Sequence, residues 1–299
     1  MPTPPATNLR RVLVTGATGL LGSSLVPILS AAGHDVVTTG RSSGGAHPAD
    51  LRDPELALKL VEQVRPDTIV NLAAATNVDE CERDPQAAYS LNVLLVENLV
   101  RSCAHAGASI HLLQLSTDHV YDADGANQEH QVTVRNQYAM SKIAGEHAAL
   151  RAPGSTVLRV NFVGRSHCPG RSSFSDWVVD TLRSGHPLTV FEDVWFSPLR
   201  IETLALAISR VIAIPAPGVF NLGARGATTK AALARDLASG LQLPVDRMQV
   251  GSLRSRTDLV RRPTGMAMDS TRFGQTFNFA LPSIEDELAD LRLEYLNAV

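Results

Sequence analysis

Apolar residues gather in short, nearly unbroken runs over the first half of the chain. Between the runs they recur every three or four positions. Val, Ile and Leu crowd residues 11–15, 35–39, 68–73, 110–116 and 156–160. Such runs predict strands buried on both faces, as in a parallel sheet. The periodic stretches 20–32, 54–64, 85–106 and 138–151 predict helices. Strand–helix alternation of this kind gives right-handed crossovers and a doubly wound α/β fold of Rossmann type. Pro27 falls inside the first helical stretch, where it removes a hydrogen bond and predicts a kink.

After Gly164 the pattern loosens into a smaller C-terminal α/β lobe. Helices are expected at 174–183, 198–212, 230–240 and 283–297. Ser197-Pro198 reads as the cap and first turn of the second of these. Short strands near 188–191 and 219–221 are expected to return to the sheet. The division expected is a dinucleotide-binding unit over 1–164 and a substrate lobe over 165–299. Its boundary is discontinuous, because part of 188–222 goes back to the sheet.

The first strand runs into Thr15-Gly16-Ala17-Thr18-Gly19-Leu20-Leu21-Gly22 and then a helix. Gly16 permits a tight turn, Gly19 lets a pyrophosphate approach the backbone, and Gly22 lets the helix pack close to the strand. The helix N-terminus then offers free N–H groups to phosphate. Thr18, Leu20 and Leu21 belong to the same cradle. A unit selective for NAD carries a carboxylate at the tip of the second strand. Here that tip reads Gly40-Arg41-Ser42. Arg41 can pair with a 2′-phosphate and Ser42 can hydrogen-bond it, so NADP(H) is expected ahead of NAD(H).

Tyr138 and Lys142 lie four apart at the start of a helical stretch, hence on one face. A free phenol, with a pKa of about 10, is a reluctant proton donor or base near neutrality. A neighbouring ammonium stabilises the phenolate and brings it nearer to use. The fourth strand ends in Ser116-Thr117-Asp118, at the carboxyl edge where such sheets bind ligands. Thr117 is the candidate donor to a carbonyl oxygen that becomes negative on hydride attack.

Composition narrows the classes. The 299 residues are 44% hydrophobic and 19% charged, with a net charge of −3, so no strong field draws nucleic acid or anionic lipid. No apolar run is long enough to span a bilayer. Residues 1–8 lack the basic start and apolar core of a signal peptide and read as a disordered lead-in. Cys81, Cys103 and Cys168 are scattered, and Asp79, Glu80 and Glu82 match no cation loop, so no metal is expected. A reduced, cytoplasmic setting is the reading these features give. Arg254, Arg256, Arg261 and Arg262 make one late segment basic, equally suited to a diphosphate or to solvent.

Together these residues resemble the extended short-chain dehydrogenase/reductase family, and within it the dTDP-4-dehydrorhamnose reductases and related sugar-nucleotide reductases. The resemblance runs from about Val12 to the last helix. It is carried by the glycine turn and by four blocks: Asn71 to Glu82, Ser116 to Asp122, Tyr138 to Glu146, and Arg261 to Asp269. It implies that Asp50 and Leu51 sit beside the adenine and that Ala73, Ala74 and Ala75 line the cofactor groove. It further implies Asn92 near the active site, and Asp118, His119, Asn161 and Arg262 toward the substrate. For the alanines, plain packing is nearly as good a reading. His119 stands where these reductases have Tyr, Ala139 where they usually have Gly, and Val134-Arg135-Asn136 where a Pro is usual. The activity implied is NADPH-dependent reduction of a nucleotide-linked 4-keto-6-deoxy sugar, by a chain that could form a homodimer. A dehydratase of this fold carries an Asp-Glu pair after the Thr, and here Asp118 is followed by His119. The alternatives are an epimerase or dehydratase, or a cofactor-binding regulatory subunit resembling the methionine adenosyltransferase beta subunit.

Overall fold

The computed structural model describes residues 9–41, 46–107 and 109–297. The expected lead-in at 1–8 lies outside them, as does Ser42. Five strands follow the predicted alternation, and a sixth, His47–Pro48, is not expected from the sequence: β1 (Arg11–Thr15), β2 (Asp35–Gly40), β3 (His47–Pro48), β4 (Thr68–Asn71), β5 (His111–Thr117) and β6 (Thr156–Val160). Gly218–Leu222 joins them, and all seven are parallel in the order Gly218–Leu222, β6, β5, β4, β1, β2, β3. Chain order reverses between β1 and β4, the place where open α/β sheets bind ligands.

Period-two alternation in β1 feeds two cores. Val12 and Val14 face one cluster, Leu13 the other. Against the second pack α2 (Pro54–Val64), α5 (Leu95–His105) and α6 (Gln137–Ala149). Against the first pack α1 (Gly22–Ala31), α8 (Ile201–Ala213) and α10 (Thr271–Phe277). The expected Rossmann-type architecture is therefore the one observed. Helix α1 runs through Pro27, whose ring is exposed. A third core joins α7 (Phe174–Arg183), α9 (Lys230–Gly240) and α11 (Ile284–Leu296) through Val179, Leu182, Leu233, Leu237 and Leu291.

Three readings need correction. The stretch 85–106 is not one regular helix. It begins with α4 (Pro85–Tyr89), preceded by the short α3 (Val78–Arg83), and reaches α5 through a wide π-helical turn at Ser90–Leu94. Ser197-Pro198 does not start a helix. The Ser197 hydroxyl donates to the Gly226 carbonyl at 2.7 Å and accepts from the Met268 amide, and Leu199–Arg200 is extended before α8 begins at Ile201. Of the two strands expected to return to the sheet, only Gly218–Leu222 does; Leu188–Phe191 pairs with Met248–Gly251 instead.

Candidate active site

The ends of β1, β4 and β5 are locked by a buried polar chain. The Thr15 hydroxyl donates to Asn71 Oδ1, and Asn71 Nδ2 donates to Gln114 Oε1 at 2.7 Å. These strands are hydrophobic on both faces, so a satisfied polar ladder at one level fixes their relative register. Above it, Gly16 turns the chain at φ +66°, and a Cβ there would lie 2.8 Å from the Ala73 nitrogen. Gly22 serves a different contact from the one expected: a Cβ would lie 2.6 Å from Ala17, so it packs on the turn itself.

Asn136 caps α6 by accepting the Ala139 amide at 2.9 Å, which sets the first turn and with it Tyr138. Lys142, one turn on, is buried and donates to the Leu115 carbonyl of β5 at 2.8 Å. Burial pushes its pKa down to about 8, with the nearby Glu146 carboxylate pulling the other way. Glu146 is itself held by Arg159 through two Nε contacts and an Nη2–Oε2 contact at 2.6 Å, and by the Ser116 hydroxyl. Burial also raises the Tyr138 phenol above its ordinary range, while the Thr117 hydroxyl beside it draws it back.

A cavity of about 670 Å³ opens over these groups. Gly16, Gly19, Leu20, Leu21 and Ala74 line one end. Thr117, Asp118, His119, Tyr138, Lys142, Asn161 and Arg262 line the other. Thr18, Arg41, Asp50, Leu51, Ala73, Ala75 and Asn92 are not part of its lining. Arg41 is exposed at the end of β2, Asp50 pairs with Arg52, and Leu51 is buried in the core beneath α2. Asn92 acts one layer back: its side chain accepts the Ala75 amide at 2.8 Å and donates to the Ser141 hydroxyl at 2.8 Å. Arg171, Ser172, Ser173 and Phe174 also line the cavity. No pattern in the sequence marks them, since a polar loop before a helix is ordinary.

The ring of His119 meets Tyr138 edge-on at 5.5 Å between centroids. Burial, with Lys230 and Arg262 adding to it, pushes its pKa down to about 3, so it is neutral throughout the working range. It lines the pocket rather than carrying a proton. Arg254, Arg256, Arg261 and Arg262 do come together, around a cleft of about 530 Å³ that shares Arg262 with the larger cavity. Arg262 pairs with Asp79 at 2.6 Å, both lining the larger cavity, and Arg256 pairs with Asp258. Among the described residues no cluster of His, Cys, Asp or Glu could hold a metal, and no helix is long and apolar enough to cross a membrane.

The model for the RmlD substrate binding domain matches residues 10–296. The chain belongs to this family. A dTDP-4-dehydrorhamnose reductase of Streptomyces griseus is 30% identical over 277 residues, covering 88% of this chain and 86% of its own. The protein described as "Probable low-salt glycan biosynthesis reductase Agl14" from Haloferax volcanii is 28% identical over 293 residues, covering 94% of this chain and 97% of its own. A solved dTDP-4-dehydrorhamnose reductase of Bacillus anthracis, in complex with NADP, superposes with a TM-score of 0.86 at 22% identity, covering 96% of this chain and 99% of its own. At that identity the superposition speaks for the fold. The resemblance drawn from the motifs is thus borne out across nearly the whole RmlD-type chain.

Proposed function

We propose that this RmlD-family chain is an NADPH-dependent reductase of a nucleotide-linked 4-keto-6-deoxy sugar, of the dTDP-4-dehydrorhamnose reductase kind. The observation that carries the reading is one cavity lined at one end by the glycine turn and at the other by Thr117, Tyr138 and Lys142. The cradle suits a dinucleotide: Gly16 leaves no room for a side chain against Ala73, and the start of α1 directs amide groups toward a pyrophosphate. Gly16, Thr18, Gly19, Leu20 and Leu21 would hold the phosphates, Arg41 the 2′-phosphate, and Lys142 the nicotinamide ribose. When bound, NADPH supplies the hydride. Tyr138 gives its phenolic proton to the carbonyl oxygen of the sugar. Thr117 donates a hydrogen bond to that oxygen as it becomes negative. Lys142, charged and fixed on Leu115, favours the phenolate left behind. The dTDP-4-dehydrorhamnose reductase relatives support the substrate class, and the Arg254–Arg262 cleft is suited to its diphosphate. The third core and its helices support the division into a dinucleotide unit over 1–164 and a substrate lobe over 165–299, with Gly218–Leu222 returned to the sheet.

The test is NADPH oxidation with dTDP-4-dehydrorhamnose by the wild type and by Tyr138→Phe. The wild type should oxidise NADPH, and the variant should lose turnover by about 10²-fold or more while its NADPH affinity stays near wild type. Substantial turnover in Tyr138→Phe would place the proton donor elsewhere.

A further inference from the structure

Glu146 is the third residue of a stripe on α6. It follows Tyr138 and Lys142 at steps of four, so the three project from one face of the helix. It is 3% exposed and pairs with Arg159, which is 4% exposed. A buried ion pair adds little net stability, and packed hydrophobic side chains of the same volume hold a core as well or better. Neither residue lines the catalytic cavity. What the pair holds in place gives it a purpose.

The end of β5 meets this stripe through three consecutive residues. The Leu115 carbonyl accepts from Lys142, the Ser116 hydroxyl donates to a Glu146 oxygen, and the Thr117 hydroxyl stands beside the Tyr138 phenol in the cavity wall. Ser116 is the register partner of Arg159 in β6, and Arg159 that of Asn221 in the strand Gly218–Leu222. The three side chains therefore rise from one face of the sheet. Arg159 holds both Glu146 oxygens with Nε and Nη2. Its Nη1 donates to the Tyr121 hydroxyl at 2.7 Å and to the Glu129 carbonyl at 2.6 Å, and the Tyr121 hydroxyl donates to Asn221 Oδ1 at 2.6 Å. Ser116, Tyr121, Glu146, Arg159 and Asn221 are all buried, and among the described residues none of their buried polar atoms lacks a partner. A buried network satisfied in this way is rigid. It takes hold of the chain just before Thr117, at Ser116, and just after the Asp118–Val120 turn, at Tyr121. Thr117, Asp118 and His119, which line the cavity, lie between the two holds.

We infer that Glu146 and Arg159 are positioning residues of the reduction: they fix Thr117 opposite Tyr138, so that hydroxyl and phenol reach the same carbonyl oxygen. This rests on the reductase reading above. A displacement of about 1 Å at either donor is enough to cost rate while the glycine turn and its cofactor contacts stay in place.

NADPH oxidation with dTDP-4-dehydrorhamnose is measured for the full-length wild type, Arg159→Lys, Tyr121→Phe and the double variant, with NADPH titrations and urea midpoints beside it. Lys keeps the cation and loses the fork that holds Glu146; Phe keeps the buried ring and loses the hydroxyl. Both changes leave every charge in place, so Lys142 keeps its surroundings. Each single variant should lose about tenfold in kcat, while KM for the sugar nucleotide and NADPH affinity stay within about twofold of wild type. The double variant should be no slower than the slower single, because both changes release one network. A lower urea midpoint with kcat unchanged would make the network structural only. Equal losses of kcat and NADPH affinity would mean that α6 moves as a whole, and losses that multiply would mean two separate holds. Each of these overturns the inference, as do variants indistinguishable from wild type. If Arg159→Lys does not fold, Ser116→Ala takes its place with the same expectations. A wild type that oxidises no NADPH overturns the reductase reading and this inference with it. A wild type that does so leaves that reading intact whatever the variants do.

Discussion

The proposed function gives Lys142 two jobs, and both depend on its charge. It is buried against β5, and its pKa falls to about 8 through the cost of leaving water, part of which Glu146 offsets. Its ammonium is the group asked to hold a ribose and favour the Tyr138 phenolate. The value of kcat/KM for NADPH, which reports the free enzyme, should therefore decline as pH rises through about 8. Unfolding is not the cause in that range. The folded value lies below the unfolded one of 10.5, so between about 8 and 10.5 the unfolded chain binds more protons, and raising the pH relieves the cost of the buried charge. A pH–rate profile beside urea midpoints at the same pH values checks both signs; a flat profile through pH 9 would free Lys142 from this role. Arg41 is the second residue whose part can be measured. Exposed at the end of β2, and near enough to the Asp50 carboxylate to help lower its pKa, it should give NADPH about tenfold tighter binding than NADH, worth ~1.4 kcal/mol. Titration of Arg41→Ala should bring the two cofactors close together, and a preference untouched by the change would move the discrimination elsewhere.

At the scale of elements, the parallel strands and most helices were legible because their patterns are local. Thr156–Val160, Pro54–Val64, Phe174–Arg183 and Lys230–Gly240 end where apolar period and caps say they should. What was not legible depends on partners distant in sequence. Ser197-Pro198 has the local chemistry of a helix start, but its hydroxyl is claimed by Gly226 and Met268 from other segments. The widened turn at Ser90–Leu94 leaves no mark in an apolar pattern that a regular helix would share. That turn bears on the site. It carries Asn92, which pins Ala75 and Ser141, and it brings the Asn92 carbonyl so close to Gly145 of α6 that a Cβ there would stand 2.1 Å from it. Backbone cannot yield as a flexible side chain can. Gly145→Ala should cost about 1–3 kcal/mol of stability, read from urea denaturation. It should also weaken turnover, since α6 carries both Tyr138 and Lys142. A fully stable and active Gly145→Ala would mean that the two helices are not held at this contact.

For the molecule as a whole, the question is whether a sheet and lobe of this kind run net reduction or return the hydride to the same sugar. The fold alone does not decide it; the residues at the cavity do. The dehydratase route needs an acid and a base beside the catalytic Thr, but His119, with its pKa near 3, stays neutral, and Asp118 is buried and bonded to Asn161. An epimerase must keep its reduced cofactor while the keto sugar turns over in the site. Net reduction requires the cofactor to leave each cycle. Here the loop over the glycine turn is tied to it by a thiol, Cys168 Sγ to the Thr18 carbonyl at 3.0 Å, and a thiol is a weak donor. Such a tie can open for exchange. Purified protein should thus show little retained cofactor by absorbance. With a 4-keto-6-deoxy sugar nucleotide it should oxidise NADPH in step with the reduced product seen by mass. An unmodified hexose nucleotide should yield no 4-keto product. Tightly held NAD, with sugar interconverted and no net oxidation, would sink the reductase reading and put an epimerase in its place.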